Sequence, residues 1–427
     1  MSVKITEIDS GQFDDAVLKS GLAIVDFYSS ECPPCETLAT KFEPLSELYG
    51  EDVYFFKIFR QGNRELALSL GATGSPTLLF FKNGKQIGAP LTGGILRSQI
   101  MNTLDEQLAP DRVAEIRRKI QPSTTDTDVI ILGGGPAGLT AGIYLAQAHI
   151  RTMIIDKALP GGYVATTHQV SNYPGFVKPL HGYELSHQMT EQAKANGVQF
   201  RSAVEIDRIS LENKTVRLDG FETVRARKII IATGSKPKAL GVKGEKEFLG
   251  HGISYCATCD AKYYDDKDVI VIGGGNSAIE ESLLIARFAR TVTIIHRSET
   301  LRANKEAQSK AAAEKKISFL LNHEIMEIKK HDAFKMGVAV KNKSTGLVSE
   351  IATNGVFIFI GFIPNVTEFG DVLKKDQWGY IDADRDMRTN IAGVFSAGDV
   401  NVKHYRQITT AVADGTIAAF GVTKELE

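Results

Sequence analysis

DVIILGGGPAGLTAGIYLAQAHIRTMIID, residues 128–156, and DVIVIGGGNSAIEESLLIARFARTVTIIH, residues 268–296, are one pattern written twice. Each holds an apolar run, a glycine-rich turn, a stretch of helical periodicity and a second apolar run. From the first glycine, Gly133 or Gly273, to the last residue is 23 positions in both. A lone GxGxxG is weak evidence, because glycine-rich turns are common. Its repetition between a strand and a helix marks two dinucleotide-binding units. In the first unit Gly133 permits the tight turn, Gly135 lets the backbone approach a pyrophosphate, and Gly138 allows close helix–strand packing. Pro136 and Ala137 open the helix whose amino-terminal N–H groups face the anion. Asp156 stands where a carboxylate accepts hydrogen bonds from ribose hydroxyls. In the second unit Gly273, Gly275, Asn276, Ser277 and Ala278 form the loop, and the slot of Asp156 is His296, followed by Arg297 and Arg302. Arginines pair with a 2′-phosphate that a carboxylate would repel, so this unit is expected to take NADP(H). The plainer reading of the arginines is a pair of solvated surface residues.

At 427 residues the chain is long enough for two to four domains. Its 43% hydrophobic and 24% charged content is that of an ordinary globular protein. Fifty basic residues against 51 acidic ones give no electrostatic case for nucleic acid or an anionic membrane. No stretch approaches eighteen uninterrupted apolar residues and the amino terminus lacks an apolar leader core, so no membrane span is expected and a cytoplasmic location is the default.

The chain has four cysteines, Cys32 and Cys35 in SSECPPCET and Cys256 and Cys259 in SYCATCDAK. In a reducing compartment such pairs are metal-binding or catalytic more often than structural. Zinc ribbons bring two pairs together across roughly 15–20 residues. Here the pairs stand more than two hundred positions apart with no histidine at finger spacing, so no metal is expected and redox dithiols lead. Cys32 precedes a predicted helix and Cys35 falls in its first turn, which makes Cys32 the attacking thiol and Cys35 the resolving one. Asp26, in the apolar run AIVDFY, is either a buried proton carrier with a raised pKa or a strand-end residue reaching solvent. Ser75–Pro76 precedes the strand TLLFF, where a cis proline would wall the site. Asp260, behind the second pair, is a candidate proton donor or merely an acid at a helix start.

Three blocks follow from the patterning. Residues 1–108 alternate strands and helices and include a hairpin turning at Asn83-Gly84. Residues 109–125 read as a linker that begins helical and ends flexible, about sixteen residues spanning at most ~55 Å. The glycine units occupy the remainder.

The motifs GGGPAG, GGYVATTHQVSNYPG, ATGS, SYCATCD, GGGNSA, HRSETLR, GFIPN, GVFSAGDV and RQITTAVADG run in order from residue 126 to the carboxyl terminus. With them this region resembles low-molecular-weight thioredoxin reductase. Residues 1–108 resemble thioredoxin through VDFYSSECPPC, the GSPT turn and the hairpin. The fold this implies is α/β: a thioredoxin fold followed by two Rossmann-like domains. An NADPH domain, 239–365, is inserted in an FAD domain, 126–238 and 366–427. The resemblance further implies a homodimeric flavoprotein. Gly162, Thr167 and Asn172 match positions near the flavin, Gly398 and Asp399 lie on the ribitol side, and Arg406 and Gln407 also line that cofactor. Members of the family alternate between presenting nicotinamide and dithiol to the flavin.

The implied path runs from NADPH through FAD and Cys256–Cys259 to Cys32–Cys35, in the chain's own thioredoxin domain or its partner's, and on to a protein disulfide. An alternative resemblance is to the flavoprotein subunit of alkyl hydroperoxide reductase, which feeds a peroxiredoxin. Its larger amino-terminal region and its use of NADH argue against it. A reading from another class is a flavin-bound protein that only docks partners. The chain departs from pattern at Glu31, where thioredoxin has tryptophan, at IFRQGN, which replaces an acidic stretch, at Tyr163, and at Ser298. Ser298 removes a second arginine from the 2′-phosphate site, which leaves NADH use open.

Overall fold

The computed structural model describes residues 5–30, 32–167, 170–332 and 336–427; Glu31, the departure beside the first cysteine, lies outside them. The amino-terminal unit is a five-stranded sheet in the spatial order Ile5–Glu7, Tyr54–Phe59, Leu22–Tyr28, Thr77–Lys82, Lys85–Thr92. The first three strands run parallel and the last two are antiparallel. LAIVDFY sits at the centre and is apolar without alternation because both of its faces are covered. Leu38, Phe42 and Leu45 of helix Pro33–Tyr49 pack on one face, and Phe13, Val17 and Ala67 on the other. The hairpin turns at Asn83 and Gly84, both at positive φ as a type I′ turn requires. These features bear out the thioredoxin fold.

The stretch expected to end flexible does not. Helix Pro110–Arg118 buries Ile116 in the thioredoxin-unit core and ties Arg112 to Asp52 and Arg117 to Asp105. Strand Ser123–Asp126 then pairs in parallel with Glu222–Arg225. Between this helix and this strand only residues 119–122 lie outside regular elements. The reach of this link is at most ~14 Å, not ~55 Å.

The remainder is built on two five-stranded parallel sheets, each carrying one glycine unit. One has the order Val394–Ser396, Lys228–Ile231, Val129–Leu132, Thr152–Asp156, Gln199–Ser202. The other has the order Ile253–Ser254, Gly355–Ile358, Asp268–Ile272, Thr291–His296, Ile317–Leu321. Ser235–Pro237 and Phe362–Pro364 pair antiparallel where the chain leaves the first sheet's region and returns to it. Among the described residues no helix is long and apolar enough to cross a membrane.

The thioredoxin unit is docked on the first of these regions through a built contact. Lys41 is buried, and its Nζ donates to Ile95 O at 2.8 Å and to Ala203 O at 2.6 Å. Burial pulls this amine down to about 8, with the Asp219 charge opposing. Around it the Arg97 guanidinium lies 4.6 Å from the Phe221 ring centroid, Ser98 donates to Glu205, and Lys194 pairs with Glu36 at 2.8 Å.

Candidate active site

The two glycine loops are superimposable in their bonding. Gly133 N donates to Ile155 O at 2.9 Å and Gly273 N to Ile295 O at 3.0 Å. Leu139 N donates to Gly135 O and Ile279 N to Gly275 O, so Gly135 and Gly275 cap the helices Pro136–Gln147 and Asn276–Ile285. Ala137 and Gly138, and Ser277 and Ala278, fall in the first turns of those helices. The residue ending the second strand lies against the loop in both units. Asp156 accepts from Gly134 N at 2.6 Å and Ala158 N at 2.8 Å, and a Cβ at Gly274 would sit 2.4 Å from His296 Nδ1. His296 is buried, with Nε2 unpartnered among the described residues, and burial, then the charges of Arg302 and Arg297, holds its pKa down. Arg297 and Arg302 are exposed and make no ion pair among the described residues. Asn276 accepts from Asn304 N, pinning the 302–304 turn to the loop.

An FAD molecule is the group this first region implies, and the residues fit one. A Cβ at Gly135 would meet only Gly162 Cα, at 3.8 Å, which leaves space over the helix amino terminus. Among the described residues no donor reaches the buried Asp399 Oδ1, and burial raises its carboxyl pKa; a polyol hydroxyl is the kind of group that satisfies it. Gly398 adopts φ 83° and packs against Ala137, with its N–H donating to Asp414. The Arg406 guanidinium lies 4.0 Å from the Tyr380 ring centroid, and its Nε lies 3.5 Å from Asp399 O. Thr167 O accepts from Gly182 N, which fixes the 162–167 turn.

Cys256 and Cys259 form a disulfide around the short helix Ala257–Asp260. Thr258, between them, accepts from Gln407 Nε2 at 3.4 Å, and Gln407 Oε1 accepts from Asn172 at 3.1 Å. That chain of contacts brings the dithiol to residues matched to the flavin's neighbourhood. Asp260 Oδ2 accepts from Ser254 Oγ at 2.6 Å, and the same Oγ accepts from Cys256 N at 3.1 Å. Ser254 therefore couples the acid to the cysteine, a role that its place in SYC does not signal. Burial, then the Asp260 charge, raises the Tyr163 phenol.

Cys32 and Cys35 form the second disulfide, with Cys32 half-buried and Cys35 buried. Cys32 caps helix Pro33–Tyr49, and its Sγ accepts from Cys35 N at 3.3 Å. The Ser75–Pro76 peptide is cis, as the sequence suggests. Asp26, Tyr28, Ser29, Glu36 and Lys57 line the cleft around the disulfide; no residue of the 256–260 loop does. Asp26 is 2% exposed, with Oδ1 unpartnered among the described residues, so it is the buried acid and not a strand-end residue reaching solvent. Burial pushes its carboxyl up to about 7, against the opposing Lys57 charge.

A carboxyl raised from 3.8 to about 7 keeps its proton in the folded chain after the unfolded chain has lost it. Stability attributable to Asp26 is therefore undiminished below pH 4, falls as pH rises through about 7, and is flat above. Asp26→Asn should match the parent near pH 4 and exceed it by roughly 3–4 kcal/mol at pH 8. Urea melts at the two pH values check this; an equal gain at both would assign the effect to packing.

Residues 127–415 match the family described as "Pyridine nucleotide-disulphide oxidoreductase", and residues 4–106 match "Thioredoxin". The thioredoxin reductase of Peptoclostridium litorale is 43% identical over 307 residues, 70% of this chain and 97% of that one. That of Bacillus subtilis is 42% identical over 300 residues, 70% of this chain and 95% of that one. The crystal structure of thioredoxin reductase from Streptococcus pyogenes superimposes with a TM-score of 0.65 at 38% identity, covering 70% of this chain and 98% of that one. These relatives are matched over nearly their whole length, so the docked amino-terminal unit is an addition to what they contain.

Proposed function

Since the chain belongs to the pyridine nucleotide-disulphide oxidoreductase family, as a thioredoxin reductase-type enzyme with a thioredoxin domain, we propose that it reduces protein disulfides at the expense of NADPH, using Cys256–Cys259 and Cys32–Cys35 in that order. The observation that carries this is the presence in one chain of two disulfides in different settings. One is joined through Thr258 and Gln407 to the cofactor-facing residues, and the other caps a helix in an open cleft. FAD supplies two-electron exchange between a nicotinamide and a disulfide. Gly135, Gly162 and Asp399 are the residues to hold it. Gly275, Asn276, Arg297 and Arg302 are those to hold NADPH, with the arginines favouring a 2′-phosphate.

A thiolate of the reduced 256–259 pair attacks the Cys32–Cys35 disulfide, whose S–S bond breaks as a mixed disulfide forms. The second thiol of the pair displaces it, returning Cys256–Cys259 and leaving Cys32 and Cys35 reduced. Two electrons and two protons have then moved. Asp260 is the proton donor beside the first pair and Asp26 beside the second. A link of at most ~14 Å cannot swing the docked unit far. Rotation of the inserted 239–365 domain, or delivery from a partner chain, is the favoured way for the pairs to meet. Tyr144 and Phe420, exposed and in edge contact on the helices Pro136–Gln147 and Ile408–Leu426, support a homodimer. The terminal acceptor is a protein disulfide, a peroxiredoxin's among those to assay.

The test is NADPH oxidation by the purified flavin-loaded chain with a disulfide-bonded protein and no added thioredoxin. Steady turnover is expected. Turnover that appears only when free thioredoxin is supplied would remove the amino-terminal pair from the path.

A further inference from the structure

At the end of strand Tyr54–Phe59, where IFRQGN replaces an acidic stretch, Arg60 turns back toward the first disulfide. Its Nε donates to Ser75 Oγ at 2.8 Å and its Nη1 lies 3.4 Å from Thr73 O. Ser29, three residues ahead of Cys32, donates to the same Ser75 Oγ at 2.6 Å. Ser75 O in turn lies 3.7 Å from Cys32 Sγ, where the reduced thiol would find its acceptor. Arg60 is half-buried and makes no ion pair among the described residues, so its charge is not cancelled at the site.

We propose that Arg60 is a positioning residue for the Cys32 centre: held by Ser75 and Thr73, its guanidinium favours the Cys32 thiolate over the thiol. Arg60 and Cys32 both contact Ser75, one at its Oγ and the other at its carbonyl, and a half-buried positive charge near a sulfur stabilises its anion by more than a solvated one does. Among the described residues, the charged and titratable groups lining the cleft itself are Asp26, Tyr28, Glu36 and Lys57, while Arg60 reaches it through Ser75. Glu36 is paired with Lys194, and Lys57 lies 3.9 Å from Glu43. Among the described residues, Arg60 is thus a cation beside this site that makes no ion pair. The inference rests on Cys32 being the attacking thiol. Its thiolate attacks one sulfur of the partner's disulfide, that S–S bond breaks, and the departing sulfur takes a proton. Cys35 then attacks Cys32 of the mixed disulfide, re-forming Cys32–Cys35 and releasing the partner's second thiol.

The experiment reads the thiolate without NADPH turnover, so it stands apart from the relay. In the full flavin-loaded chain carrying Cys256→Ser and Cys259→Ser, the reduced first pair is alkylated with iodoacetamide across pH and the site is mapped by mass spectrometry. Arg60→Gln keeps an amide donor for Ser75 while removing the charge. It should move the midpoint of Cys32 alkylation up by about one pH unit, a rate about tenfold lower at pH below both midpoints. Arg60→Lys should recover most of the shift. A Gln profile superimposable on the parent's, a Lys midpoint as high as that of Gln, or alkylation at Cys35 in place of Cys32 would each overturn the proposal.

Discussion

Replacing Cys32 and Cys35 together by serine should lower NADPH-driven reduction of a protein disulfide by at least about a hundredfold, while NADPH still reduces the Cys256–Cys259 disulfide. The expectation follows from where the two disulfides lie. Cys256–Cys259 is tied through Thr258 to Gln407, among the residues matched to the flavin's neighbourhood, and in the function proposed above an outside protein meets it only after the 239–365 region moves. Cys32–Cys35 lies in an open cleft at a helix amino terminus, lined by residues of its own domain. Serine keeps the size of each side chain and the N-cap acceptor, so the loss reports chemistry and not folding. Thiol counting after anaerobic NADPH addition, beside a turnover assay, separates the two stations. Two new thiols with no turnover is the expected pair of readings. Full turnover in the variant would mean that the 256–259 pair reduces the acceptor directly and that the docked domain is no relay.

What was legible in the sequence had local causes. The repeat was visible because a tight turn, a close backbone approach and a helix start need particular residues at fixed spacing, whatever surrounds them. Asp26 stood out because a carboxylate inside an apolar strand has few ordinary explanations, and its burial removes the solvent-reaching one. The end of the tether is a strand and not a flexible tail for a non-local reason. STTD becomes a strand through its pairing with Glu222–Arg225, a hundred residues on. Pro110–Arg118 similarly gains its place from burying Ile116 in a core assembled by others. Lys41 is a third case: a lysine on a helix reads as solvated, and here two carbonyls from separate domains accept from it. The role of Ser254 is silent in the sequence, and IFRQGN marks Arg60 as a departure without showing its partner, because Asp260 and Ser75 are chosen by tertiary contacts.

The loop glycines can be sorted by cause, and substitution should sort them the same way. A Cβ at Gly138 would sit 2.0 Å from Gly133 O, so the first loop's own backbone must shift to admit it, although the second loop is built around Ala278 at that position. Gly138→Ala should therefore destabilise the fold by about 3 kcal/mol and release flavin as a consequence. Gly275 has φ −91°, allowed to any residue, and a Cβ there meets nothing within 4 Å. Among the described residues nothing asks for glycine at that position. If the residue is there so that a pyrophosphate can approach the backbone, Gly275→Ala should leave the melting temperature within about 2 °C of the parent. The same variant should raise the KM for NADPH about tenfold or more, since a methyl group there displaces contacts made by several phosphate oxygens. Thermal melts and NADPH titrations on both variants give four readings. An unstable Gly275→Ala protein would point to a structural need that the packing does not show. A stable one with an unchanged KM would move the nucleotide away from this loop, and with it the roles given to Arg297 and Arg302.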